Sequence, residues 1–197
     1  MPNLTDAYNA IIAACNDPYI GYSMDPVERR SITLGVNYRT YCDCSSLISW
    51  GLTQGGFFLN NPWFATGSEV GYLTGAGFVE VDIAGLWQAG DVLWHPKGGR
   101  WSVGHTEMVY AAGPAGKGYT MGAHWAKPNF ADQVSINTSL SSKYDYTKLF
   151  RYDGVSPPDP GQPGDDPDDP GDPGKRDIPT GAIIEELRRR LWYPGRH

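Results

Sequence analysis

Apolar residues recur at helical spacing near the start of the chain, where Leu4, Tyr8, Ile11, Ile12 and Cys15 share one face. The pattern predicts a helix over 4–16, with Asn3 or Thr5 as its cap. Cys15 lies on the apolar stripe and reads as a small buried hydrophobe. Residues 17–42 are broken by Pro18, Gly21, Pro26 and Gly35 and read as irregular. Leu47, Ile48 and Leu52 then restore a buried face, and Gly55-Gly56 stops it. A second helix is therefore expected, with Cys44 in its first turn, and a third, short one over 67–74. Beyond these the period changes from helical to alternating. Segments 78–81, 92–94, 106–111, 119–123, 134–136 and 149–152 read as short strands between Gly, Pro or Asn turns. Helices first and strands afterwards is an α+β pattern, with N-terminal helices packed on an antiparallel sheet of five to six strands.

The alternation ends near residue 152. From Gly154 to Gly174 the chain is Pro, Asp and Gly with almost nothing apolar. Such a segment cannot bury a core and is expected to be an extended linker. Ile183, Ile184, Leu187, Leu191 and Trp192 then form one more amphipathic stretch, with Arg188 to Arg190 among them. Three parts follow: a folded domain over 1–152, a Pro/Asp/Gly-rich linker over 153–177 and a helical tail over 178–197. The tail is too short to fold alone. It is suited to a partner protein or an anionic wall polymer.

Charge follows the same division. The net charge of -6 is concentrated in the linker, where residues 153–174 carry seven Asp and no Lys or Arg. The first 152 residues hold 12 acidic and 10 basic side chains, close to neutral. With no basic stripe on the main domain, nucleic acid is not an expected partner. No apolar run is long enough to insert into a membrane. Met1-Pro2-Asn3 does not begin a basic-then-apolar signal segment, so synthesis in a cytoplasm is expected. The three cysteines, Cys15, Cys42 and Cys44, do not suggest a disulfide framework.

A thiol is a nucleophile only as thiolate, and a helix N-terminus favours that charge. Cys44 is expected at such a place, with Asp43 as the cap and the backbone N–H groups of the turn facing an oxyanion. The base is a histidine brought from elsewhere. Among His95, His105, His124 and His197, His105 begins a strand after the Gly-rich segment 97–104. His95, before Pro96, reads as a turn residue. His124, at the end of the next strand, is best placed to orient His105 across an antiparallel pair, with Asn129 and Glu107 as alternatives. Glu107 shares a strand face with His105 but is not its paired neighbour. A rival arrangement is a Cys2His2 zinc site built from Cys42, Cys44, His105 and His124, although Cys-x-Cys spacing is tight for it.

Taken together, Asp43-Cys44-Ser45-Ser46-Leu47-Ile48, Gly90-Asp91-Val92-Leu93-Trp94 and Gly104-His105-Thr106 resemble the NlpC-type cell-wall peptidases. The match is nearest to the bacteriophage peptidoglycan hydrolase branch, often labelled amidases. Gly21-Tyr22-Ser23-Met24-Asp25 and Gln133-Val134-Ser135-Ile136-Asn137 resemble further segments of that branch. The resemblance implies a papain-like core with Cys44 as nucleophile, His105 as base and His124 as orienting residue. It implies a substrate site lined by Tyr22, with Asp25, Ser45, Glu107 and Trp125 in the expected set. Glu107 departs from the small residue usual at its position and is expected to meet a cationic substrate group or to perturb His105. The implied activity is cleavage of the muramoyl-L-alanine link or a stem-peptide bond in bacterial peptidoglycan, without cofactor or metal. Delivery would be through a holin pore or on a virion. A zinc-dependent hydrolase, a papain-like acyltransferase or toxin, and an inactive wall-binding module are the competing readings.

Overall fold

The computed structural model describes residues 1–98, 102–125, 127–154 and 157. These belong to a unit that runs from Met1 to Pro163. Most of the expected linker and all of the expected tail lie outside the described residues.

Helix α1 spans Leu4–Cys15 and is started by Asn3, whose side chain accepts from the backbone N–H groups of Thr5 and Asp6. Of the two expected caps, Asn3 is the one used. Helix α2 spans Cys44–Gln54 and α3 spans Thr66–Gly75. The strands are β1 Ile20–Tyr22, β2 Thr40–Cys42, β3 Phe78–Val81, β4 Val92–His95, β5 His105–Ala112, β6 Lys117–Ala123, β7 Val134–Ile136, β8 Ser141–Ser142 and β9 Lys148–Tyr152. Seven of them form one sheet in the order β3-β9-β4-β5-β6-β7, with β8 also paired to β6. Its pairings are antiparallel. The protein is thus α+β, with α1 and α2 packed against each other and against β5 and β6.

Two parts of the expectation change. The sheet has seven strands rather than five or six, because the two-residue β8 adds to the edge of β6. The segment 17–42 is not wholly irregular: β1 and β2 pair in parallel, setting Tyr22 opposite Cys42. Three-residue strands offer too short a run for alternation to be visible.

The core is continuous between helices and sheet. Ala7, Ile11 and Ala14 of α1 pack with Leu47, Ile48 and Leu52 of α2 and with Met108, Met121 and Phe150 of the sheet. Cys15 is buried there, as expected, and is a free thiol. The helices approach closely at Gly51, where a Cβ would collide with the Ile11 side chain and lie 3.3 Å from the Ala7 carbonyl oxygen. No helix among the described residues is long and apolar enough to cross a membrane.

Glu69 of α3 is fully buried against β5. Its Oε1 lies 2.7 Å from the Thr106 hydroxyl oxygen, which is also 2.9 Å from the Leu93 carbonyl oxygen. A hydroxyl has one proton and cannot donate to both acceptors. A neutral Glu69 resolves the count, with its own O–H donating to Thr106 and Thr106 donating to Leu93. Burial pushes the Glu69 carboxyl up to about 8, despite the Thr106 hydrogen bond. The folded protein therefore holds a proton that the unfolded chain releases above the ordinary value of 4.5. The stabilisation is complete below that value and is lost as pH rises to about 8. Glu69→Gln, which keeps a donor toward Thr106, is expected to remove this alkaline loss. Urea denaturation from about pH 5 to about pH 9 should show the variant gaining on the parent as pH rises; parallel curves would contradict a neutral Glu69. Gly51→Ala is expected to destabilise by about 1–3 kcal/mol through overpacking against Ile11, read from the same denaturation midpoints.

Candidate active site

Cys44 is the first residue of α2 and is buried. Its position is fixed by the residue before it. Asp43 is the helix cap: its Oδ1 accepts from the Ser46 backbone N–H at 2.7 Å, while the Ser46 hydroxyl is 2.8 Å from the Asp43 N–H. This reciprocal pair satisfies two donors that a helix start leaves unmatched.

The cap is itself held by Arg29, which the sequence reading did not single out. The Arg29 guanidinium is bidentate to Asp43, through Nε to Oδ2 and through Nη2 to Oδ1 at 2.9 Å. It also donates to the carbonyl oxygens of Trp63 at 3.2 Å and Phe64 at 2.8 Å, and to the Ser45 hydroxyl at 3.1 Å. Arg29 sits in a Glu-Arg-Arg run with no local signal to mark it as buried.

His105 opens β5, as expected, and the sheet register builds the rest of the site. His95 of β4 is paired with His105, and Met108 is paired with Met121 of β6. Carrying the latter register back along β5 sets Glu107 across from Gly122 and His105 across from His124. A row of three imidazoles results, with ring centroids 5.9 Å apart for His95 and His105 and 6.1 Å for His105 and His124. His95 is thus a buried member of the sheet rather than a turn residue.

Glu107 takes the orienting place. Its Oε1 is 3.1 Å from His105 Nε2 and 3.1 Å from His124 Nδ1. The expected direct His105–His124 relation is therefore replaced by a carboxylate that serves both rings. The two side chains close the gap of about 7 Å between strand positions two apart. Glu107 is only 3% exposed, and its other oxygen accepts from the Tyr146 hydroxyl at 2.6 Å and from Asn137 Nδ2 at 3.3 Å. Of the two roles expected of Glu107, meeting a cationic substrate group or perturbing His105, its contacts bear on the second: its oxygens face His105, His124, Tyr146 and Asn137 within the protein. Gly122 makes the room: a Cβ there would lie 2.9 Å from Glu107 Cγ.

The charges fit this arrangement. Burial disfavours a charged His105, but hydrogen bonds to Cys44 and Glu107, and their negative charge, outweigh it and push the imidazole up to about 10. Burial works against an ionised Glu107, yet hydrogen bonds from His105 and His124, with their positive charge, hold its carboxyl well below the usual range. Burial, and then the charge of Glu107, push the Tyr146 hydroxyl far up, so it remains a donor. The Tyr146 ring also stacks on His105, with centroids 6.5 Å apart.

The remaining expected residues divide. Tyr22 is half-buried near Cys44; burial, and then the charges of Cys44 and Asp43, raise its hydroxyl. The Ser45 hydroxyl donates to Asp43 and accepts from Arg29, so its side chain belongs to the cap network. Asp25 spends its carboxylate on the backbone N–H groups of Val27 and Glu28 in an exposed turn. Trp125 is 76% exposed. Asn129 donates to Asp132 at the surface and does not reach His105 as a triad member would. The Cys2His2 set does not gather, because the Cys42 thiol is directed at the Gly21 carbonyl. Among the described residues, the group close enough to share a metal ion is His105, Glu107 and His124.

Tyr146 and Asn137 were also missed. Asn137 had one available signal, since Gln133, Ser135 and Asn137 alternate along β7 and past its end. Gln133 accepts from the Tyr22 backbone N–H at 3.0 Å, tying this edge to β1. The Gly90-Asp91 motif proves to be a clamp, with Asp91 bidentate to Arg151 of β9 at 2.9 and 2.7 Å. Compared with known proteins, the chain matches no family profile and no curated sequence.

Arg29→Ala removes the partner of a largely buried carboxylate. It is expected to cost about 3 kcal/mol of stability, measured by denaturant titration. A loss below about 1 kcal/mol, the range of an exposed pair, would show that Asp43 does not depend on Arg29.

Proposed function

We propose that this protein is a cysteine hydrolase of amide bonds with a papain-like core. The observation that carries the reading is the chain of contacts from Cys44, at a capped helix start, through His105 to buried Glu107. A helix-borne thiol facing a strand-borne imidazole, with an acid behind the imidazole, is the arrangement that nucleophilic acyl transfer needs.

In the proposed reaction His105 takes the Cys44 proton and the thiolate attacks the carbonyl carbon of the substrate amide. The N–H groups of Cys44 and Ser45, in the first turn of α2, face the developing oxyanion. The carbon–nitrogen bond breaks as the His105 imidazolium returns its proton to the departing amine. Water, deprotonated by His105, then splits the thioester and regenerates the thiol. Glu107 stays ionised, holds the ring and balances its charge. Tyr146 and Asn137 keep Glu107 in place.

Peptidoglycan is the proposed substrate, on the strength of the motifs around Cys44, Asp91 and His105 and their order. The bond would be the muramoyl-L-alanine link or one within the stem peptide, as in a phage-type lysin. An acyltransferase would use the same residues, so products rather than site geometry separate the two.

Cys44→Ala is expected to abolish release of soluble fragments from purified cell walls, with an unchanged circular dichroism spectrum. Mass spectrometry of the parent's digest should show new free muramic lactyl groups or new stem-peptide termini. Full activity of the folded variant would exclude the thiol mechanism, and a wall digest with no new termini would exclude this substrate.

A further inference from the structure

The Glu107 hub has a second chemical capacity. His105 Nε2 and His124 Nδ1 both lie 3.1 Å from one carboxylate oxygen. The ligand-capable atoms of the three residues fall within 4.8 Å of one another. Two imidazole nitrogens and a carboxylate, with a fourth position left for water, are a donor set that zinc accepts. We propose that His105, Glu107 and His124 form an inhibitory zinc site that switches off the cysteine chemistry. The inhibitory part rests on the hydrolase reading above; the binding part does not.

The surroundings suit an ion. Glu107 is oriented from behind by Tyr146 and Asn137, the kind of outer support that ligating carboxylates need. His124 Nε2 is buried without a hydrogen-bond partner among the described residues. The Glu107 carboxylate now holds a proton on His124 Nδ1. Zinc on Nδ1 would take the place of that proton, which would leave to solvent or pass to Nε2, the ring nitrogen that no other hydrogen bond among the described residues claims. The side chains of His105 and His124 are 27% and 12% exposed, which leaves a route from solvent past His105.

Inhibition follows from proton counting on His105. A neutral imidazole carries one N–H. With Nε2 directed at Glu107, Nδ1 is the nitrogen left for Cys44. Zinc on Nε2 obliges the remaining proton to sit on Nδ1. That nitrogen then has no lone pair for the Cys44 proton, and the base is lost. If the site begins as imidazolium and thiolate, zinc displaces the Nε2 proton to solvent and leaves the thiolate. The zinc-bound ring, with its one N–H on Nδ1, is then a far weaker acid toward the departing amine and has no lone pair to activate the water that splits the thioester. Cys44 is not a ligand in this scheme, which separates it from simple capture of zinc by a thiolate.

The test uses the full chain, stripped with EDTA, dialysed and titrated with zinc chloride against a chromophoric chelator. One zinc per chain is expected, bound alike by the parent and by Cys44→Ala. His124→Ala should weaken binding by more than about tenfold. His124→Gln, which retains more volume, serves if the alanine variant loses its circular dichroism spectrum. Cobalt in place of zinc should give visible d–d bands without a sulfur-to-metal charge-transfer band. Wall digestion should stop at one equivalent of zinc and return with EDTA. The proposal is overturned if no zinc binds, if binding vanishes in Cys44→Ala and persists in the His124 variants, or if zinc raises the activity. A stripped protein that binds zinc at His124 but never digests walls supports the site and separately refutes peptidoglycan as the substrate.

Discussion

A carboxylate with almost no solvent contact stays charged only if protein donors replace the water it has lost. Glu107 meets that demand with four neighbours: His105, His124, Tyr146 and Asn137. They come from β5, from the end of β6, from the segment before β9 and from the end of β7. The need to satisfy one anion thus draws together the parts of the sheet that frame the site. Gly122 belongs to the same constraint, because only a residue without a side chain leaves the carboxylate its place.

Cys44 depends on a separate buried pair. Asp43 caps α2 and Arg29 neutralises Asp43, while the same guanidinium gathers the carbonyls of Trp63 and Phe64. Cys44 is thereby held at a helix start where N–H groups and dipole favour negative charge. The helix and the sheet meet chemically where Cys44 reaches His105. Each side arrives with its own support.

Much of this was legible from periodicity. The six strands expected from alternation occur within one or two residues of their places, because turns bounded each run and one or both faces were apolar. α1 and α2 followed from apolar spacing and from the cap residues Asn3 and Asp43. Cys44 and His105 were legible because each sits at an element's start. The rest depended on distance in sequence. Arg29 acts on residues 14 to 35 positions away, and no local pattern announces such a pairing. Tyr146 reaches Glu107 from 39 positions away. Glu107 was visible but set behind His124, since strand geometry alone does not show that a glutamate can bend back along its own strand to an imidazole two residues before it.

That last feature has a mechanical consequence. His105 and Glu107 are tethered by two peptide units of one central strand, so thermal breathing of the fold moves them together. Cys44 is joined to them only through the packing of a helix on a sheet. Motions that loosen the domain will separate thiol from imidazole before they separate imidazole from acid. The weak link in the assembled site is the contact between Cys44 and His105, and the persistent one is the contact between His105 and Glu107.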